Sequence, residues 1–131
     1  MVLGADTTVV LDGESPDGEI LGKPVDKADA ARMLRALSGR THKVITGVAV
    51  VSASDVSVAA EVTEVRFCEL SEREIAEYVE TGEPMDKAGA YGIQGRAARW
   101  IPRIEGCYFN VVGLPVARVS AMLEKQVTGY R

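Results

Sequence analysis

The residues with the greatest chemical potential stand at the start of the chain, in Val2-Leu3-Gly4-Ala5-Asp6-Thr7-Thr8-Val9-Val10-Leu11. An apolar strand is expected to lead there into a small-residue turn and a carboxylate, which fixes the carboxylate at the edge of a cleft. Gly4 and Ala5 carry almost no side chain, so a bulky ligand can approach the backbone while Asp6 and the hydroxyls of Thr7 and Thr8 point at it. The same Gly-Ala-Asp-Thr string also suits a purely structural turn, because Asp and Thr bond readily to nearby backbone. Two further stretches move the balance toward chemistry. In Gly22-Lys23-Pro24 the proline forces Lys23 into extended geometry, and an extended lysine beside a glycine can reach into a cleft. In Asp86-Lys87-Ala88-Gly89-Ala90-Tyr91-Gly92-Ile93-Gln94-Gly95 several glycines flank polar side chains, without the Lys-Ser/Thr ending of a P-loop.

These residues need a scaffold, and the sequence describes one. Residues 12–19 are rich in turn formers between two apolar segments, as in a hairpin connection, and Ile20 and Leu21 resume a short strand. Asp26 is a good N-cap for a helix that buries Ala30, Met33, Leu34 and Leu37 and stops at Gly39. The β-branched run from Lys43 to Val51 suits a central strand covered on both faces. A second long strand from Val58 to Cys68 places Thr63, Val65 and Phe67 on one face and Val62, Glu64, Arg66 and Cys68 on the other. Ser71 and Glu74 form a capping box, with Leu70 and Ile75 as the hydrophobic staple, for a helix over residues 72–80. Short strands are expected over 100–104 and 107–112, then a last helix with Pro115 in its first turn and Val116, Val119, Met122 and Leu123 on one side. Alternating strands and helices without an internal repeat indicate a single α/β domain, a mixed twisted sheet with flanking helices.

Bulk properties narrow the function. The chain has 131 residues, 47% hydrophobic and 26% charged, which is the composition of one globular domain. A net charge of -4 argues against a nucleic-acid binder but leaves room for a single nucleotide held by a few placed cations. Cys68 and Cys107, both in apolar, strand-like surroundings, indicate free thiols and a reducing, cytoplasmic setting. His42, the one histidine, is expected in a loop, and no Cys/His cluster offers a structural zinc site. No apolar run approaches the roughly 20 residues of a membrane helix.

Taken together, Gly4-Ala5-Asp6-Thr7, Gly22-Lys23-Pro24, Leu37-Ser38-Gly39-Arg40-Thr41-His42, Thr46-Gly47-Val48, the 86–95 string and Asn110-Val111-Val112-Gly113-Leu114-Pro115 resemble the Maf (septum-formation protein) family over essentially the whole chain. The resemblance implies an inosine-triphosphatase-like α/β fold and a nucleoside triphosphate pyrophosphatase. Such an enzyme cuts between the α and β phosphates with Mg²⁺ or Mn²⁺, and the Lys87–Gly95 string is similar to that of the branch acting on dTTP and UTP. Position by position, it implies Asp6 as proton acceptor or metal ligand, Lys23 as a catalytic cation, Lys87 as a substrate-binding one, and Thr7 and Gln94 as determinants of substrate choice. Family members also begin with a strand carrying Ser-Pro-Arg-Arg, followed by a helix. Residues 1–131 are therefore expected to be a single Maf-like domain lacking that first strand and helix, with a homodimer covering the exposed sheet edge. The alternative reading is a nucleotide-binding or interaction module with little turnover, for want of those arginines.

Overall fold

The computed structural model describes residues 1–12 and 18–128. The chain runs β1 (Val2–Leu11), β2 (Glu19–Leu21), α1 (Lys27–Leu37), β3 (Thr41–Val51), β4 (Val56–Arg66), α2 (Glu72–Glu80), three short 3₁₀ turns, β5 (Arg103–Glu105), α3 (Tyr108–Val112) and α4 (Val116–Thr128). Among the described residues the strands form one sheet in the order β2-β1-β3-β4-β5. The α/β class stands, but the sheet expected to be mixed is antiparallel at every junction. Most of the turn-rich connection expected before β2, residues 13–17, lies outside the described residues.

Local chemistry explains the helices. Asp26 caps α1 by accepting from the Asp29 N–H at 2.7 Å, and the stripe Ala30, Met33, Leu34 and Leu37 is buried as expected. Gly39 then adopts φ +66°, a left-handed conformation that favours glycine and ends the helix. In α2 both halves of the capping box form: Ser71 Oγ accepts from Glu74 N–H at 3.1 Å, and Glu74 Oε1 accepts from Ser71 N–H at 3.0 Å. Both helices bury their apolar stripes with Val9, Leu11, Leu21, Val44, Val65, Phe67 and Trp100 in the main core. A smaller core holds Val48, Val50, Val119 and Met122 beneath α4.

Alternation along the strands decides which residues meet the helices. In β3, His42, Val44, Thr46, Val48 and Val50 are all buried, while their neighbours are exposed or half-buried. The strand is central, as expected, but only one of its faces is fully covered. Registered neighbours share a face, so Val2, Val51 and Val56 form one row on the open side and Val58 and Val62 continue it, all exposed.

Five local expectations change. β1 continues as a strand through Gly4-Ala5-Asp6-Thr7 without the expected turn, because each of these residues pairs with β3. His42 is a strand residue, not a loop residue, and is 1% exposed. Residues 108–112 form the helix α3 rather than a strand. The Gly113 N–H donates to Phe109 O and Asn110 O, and the Leu114 N–H to Phe109 O, closing a helical turn at a glycine of φ +136°. Short apolar runs of this kind are ambiguous by periodicity alone. Cys68 lies past the end of β4 and is exposed, and Val116 at the start of α4 is exposed rather than packed.

Candidate active site

The site lies along β1. Among the described residues β2 pairs only with Val9, Val10 and Leu11, so residues 2–8 have β3 as their strand partner and leave the other edge accessible. Asp6 and Thr7 follow each other in the strand and therefore point to opposite faces, against the expectation that Asp6, Thr7 and Thr8 converge through a turn. Both nevertheless border one cavity at this edge. Its volume is about 390 Å³, and Asp6, Thr7, Lys23, Lys87 and Gln94 all line it. The five side chains nominated from sequence are thus brought together from three separate stretches of chain.

Two backbone features hold these stretches in place. The Gly89 N–H donates to Gly22 O at 3.1 Å, joining the Lys23 loop to the Lys87 loop. Gly89 has φ +74°, and a Cβ there would lie 3.0 to 3.2 Å from the Val9 side chain in β1. Replacing Gly89 with alanine should therefore combine a left-handed backbone penalty with overpacking, lowering stability by about 2–3 kcal/mol. A denaturant-unfolding midpoint equal to the parent's would show that the loop has room to relax. Gly92 has a different role: a Cβ there would come within 2.7 Å of Lys87 Cε, so the glycine leaves a channel for the lysine stem.

Charge is arranged with the same economy. Lys87 Nζ donates to Asp86 Oδ1 at 3.1 Å and holds that carboxyl below the usual carboxylate range, with a smaller contribution from Lys23. Both lysines therefore act on one locality. Glu83 accepts from the Arg96 N–H at 3.3 Å and steadies the segment that carries Gln94.

The floor and far wall escaped the sequence reading of the site. Tyr91 and Ile93 contribute from the glycine-rich string, and Val111, Val112 and Gly113 from α3 and its end. Asn110, fully buried, fastens α3 to the sheet: the two protons of its Nδ2 are shared among Val44 O, Glu61 O and Thr63 Oγ1 at 3.0, 3.1 and 2.9 Å. A buried asparagine in an apolar run was the available signal, since such a group must find partners. Tyr91 is backed by His42, whose Nε2 lies 2.5 Å from the phenol oxygen, and burial pushes the His42 imidazole down to about 4 and the Tyr91 phenol up.

The donor set limits what cation could be held. Among the described residues no three His, Cys, Asp or Glu side chains gather as a metal cage, and Asp6 is the carboxylate lining the cavity. A lone carboxylate suits a hard cation that keeps its waters and takes further oxygens from an anionic ligand.

Fold and site together define an α/β protein whose cleft sets one carboxylate beside two lysines. The chain belongs to the Maf family, whose Maf-like protein model matches residues 1–126. A dTTP/UTP pyrophosphatase of Koribacter versatilis is 56% identical over 124 residues, which cover 95% of this chain and 62% of the relative. A dTTP/UTP pyrophosphatase of Symbiobacterium thermophilum is 61% identical over 123 residues, covering 94% and 61% respectively. The chain thus spans less than two thirds of the length of these curated relatives.

Proposed function

We propose that this chain hydrolyses dTTP and UTP to the nucleoside monophosphate and pyrophosphate. The observation that carries this reading is the convergence of Asp6, Thr7, Lys23, Lys87 and Gln94 on one cavity, in a chain similar over most of its length to proteins named for that activity. Water attacks the α-phosphorus, its proton passes to Asp6, and the bond from that phosphorus to the bridging oxygen breaks as pyrophosphate leaves. Lys23 and Lys87 stabilise the charge that builds on the phosphate oxygens, which is the main task of a protein in phosphoryl transfer. Gln94 offers both a donor and an acceptor to a pyrimidine edge. Asp6 would also hold Mg²⁺ or Mn²⁺ with the phosphates, and such a cation supplies further charge stabilisation. The test is release of pyrophosphate from dTTP and UTP with Mg²⁺ present.

The second reading, a module that binds nucleotides with little turnover, is favoured by the small number of cations: Lys23 and Lys87 are the basic side chains among the residues lining the cavity. Thermal stabilisation by UTP without pyrophosphate release would select it. A cytoplasmic setting also belongs to the proposal, supported by two unpaired thiols of which Cys68 is exposed. So does the homodimer, supported by the exposed apolar row Val2, Val51, Val56 and Val58 and checked by sedimentation.

Lys23→Ala and Lys87→Ala should each weaken UTP binding by about tenfold while leaving stability within about 0.5 kcal/mol, because exposed or half-exposed lysines add little to the fold. Unchanged UTP affinity in both variants, measured by calorimetry, would place the anion elsewhere.

A further inference from the structure

Behind Thr7 lies a second threonine that is not among the residues lining the cavity. Thr46 pairs with Thr7 in the β1–β3 register, is fully buried at 0% exposure, and stands in a row of apolar residues between Val44 and Val48. Its Oγ1 is 2.9 Å from Thr7 Oγ1 and 3.4 Å from Asn110 O. Thr7 Oγ1 in turn lies 3.4 Å from Gly113 O, on the cavity wall.

Two hydroxyls bring two protons to these contacts, and the short bond can use only one of them. If Thr7 donates to Thr46, the Thr46 proton must go to Asn110 O, which already accepts from the Gly113 N–H. Thr7 then offers the cavity lone pairs alone. If Thr46 donates to Thr7, the Thr7 proton turns to Gly113 O over a bond longer than the usual hydroxyl range, and a ligand oxygen can readily take it over. With Thr46 fully buried, the second arrangement gives the two hydroxyl protons and the Gly113 N–H separate acceptors, so it is preferred.

The geometry points to Thr46 as a positioning residue that fixes the Thr7 hydroxyl as a proton donor into the cavity, aimed at an acceptor oxygen of the nucleobase. This rests on the nucleotide reading above and deepens it. A site with a fixed donor prefers a base with a carbonyl oxygen there over one with an amino group, which is the difference between the 4-positions of uracil and cytosine. A valine at 46 keeps the shape of threonine and favours a strand, but it leaves the Thr7 hydroxyl free to donate or to accept.

The experiment compares UTP with CTP by kcat/KM, and by calorimetric binding where turnover is slow, in the parent, Thr46→Val and Thr46→Ser. The preference for UTP should fall by about three- to tenfold in Thr46→Val, the worth of one neutral hydrogen bond. The change should be carried mainly by KM, and Thr46→Ser should recover the preference because it restores the hydroxyl. Melting curves verify folding, and Thr46→Ala replaces the valine variant should that fail to fold. An unchanged UTP preference in a folded hydroxyl-free variant, or no recovery with serine, overturns the role of Thr46 while the nucleotide reading stands. A parent chain that neither binds nor cleaves UTP or dTTP overturns the nucleotide reading and this proposal with it.

Discussion

Replacing Asp6 with asparagine is expected to lower pyrophosphate release from dTTP and UTP by at least about 10²-fold, the usual contribution of a positioned general base. Asparagine matches aspartate in shape, so a steric cause is excluded. It cannot take the proton of the attacking water, and it is a poor ligand for a hard cation. Asp6 is exposed on a strand held by β3 through backbone pairing, so the unfolding midpoint should stay with the parent's. Steady-state hydrolysis and a melting curve on the same preparation separate the two effects. Equal specific activity in variant and parent would return Gly4-Ala5-Asp6-Thr7 to a structural role.

The second large effect concerns stability against pH. His42 is buried among Phe67 and Tyr91, with ring centroids 5.3 Å away in each case, and burial lowers its pKa from 6.5 to about 4. The unfolded chain therefore binds a proton at His42 in a range where the folded chain does not. The sign follows: this stabilisation is complete above about pH 6.5 and is lost as the pH falls toward 4. Its size is on the order of 3 kcal/mol. Denaturant unfolding of the parent and of His42→Gln between pH 7.5 and 4.5 isolates the contribution, since carboxylates titrate alike in both. The gap in stability between the two ends of the range should be smaller in the glutamine variant. Parallel pH profiles would mean that His42 opens to water in the folded state.

The sequence made some features plain for identifiable reasons. α1 and α2 carry their own signals: an Asp26 cap, a capping box at Ser71 and apolar residues at helical spacing agree with each other, and tertiary packing had nothing to override. The five site residues that line the cavity were legible because they fall in short strings that resemble the Maf family, although the residues themselves lie far apart in sequence. What stayed hidden depended on long-range pairing. β1 could not be recognised as continuous through Asp6 without knowing that β3 pairs with it, and that continuity is what turns Asp6 and Thr7 to opposite faces. His42 reads as a polar loop residue until Tyr91, 49 positions away, supplies its partner. Residues 108–112 are too short and too uniformly apolar to choose between strand and helix, and the choice is made by Asn110 and Gly113.

The bond from the Gly89 N–H to Gly22 O has a thermodynamic consequence. It ties the loops of two cations together, so Lys23 and Lys87 do not search for an anion independently. In the proposed function, once one ammonium engages a phosphate chain, the other is already present at a high effective concentration. In that reading the pair would act as a chelator whose two loops are already joined by the fold. Such a chelator discriminates by length: a ligand with a single phosphate engages one arm, and only a chain long enough to span both gains the second without a further loss of freedom.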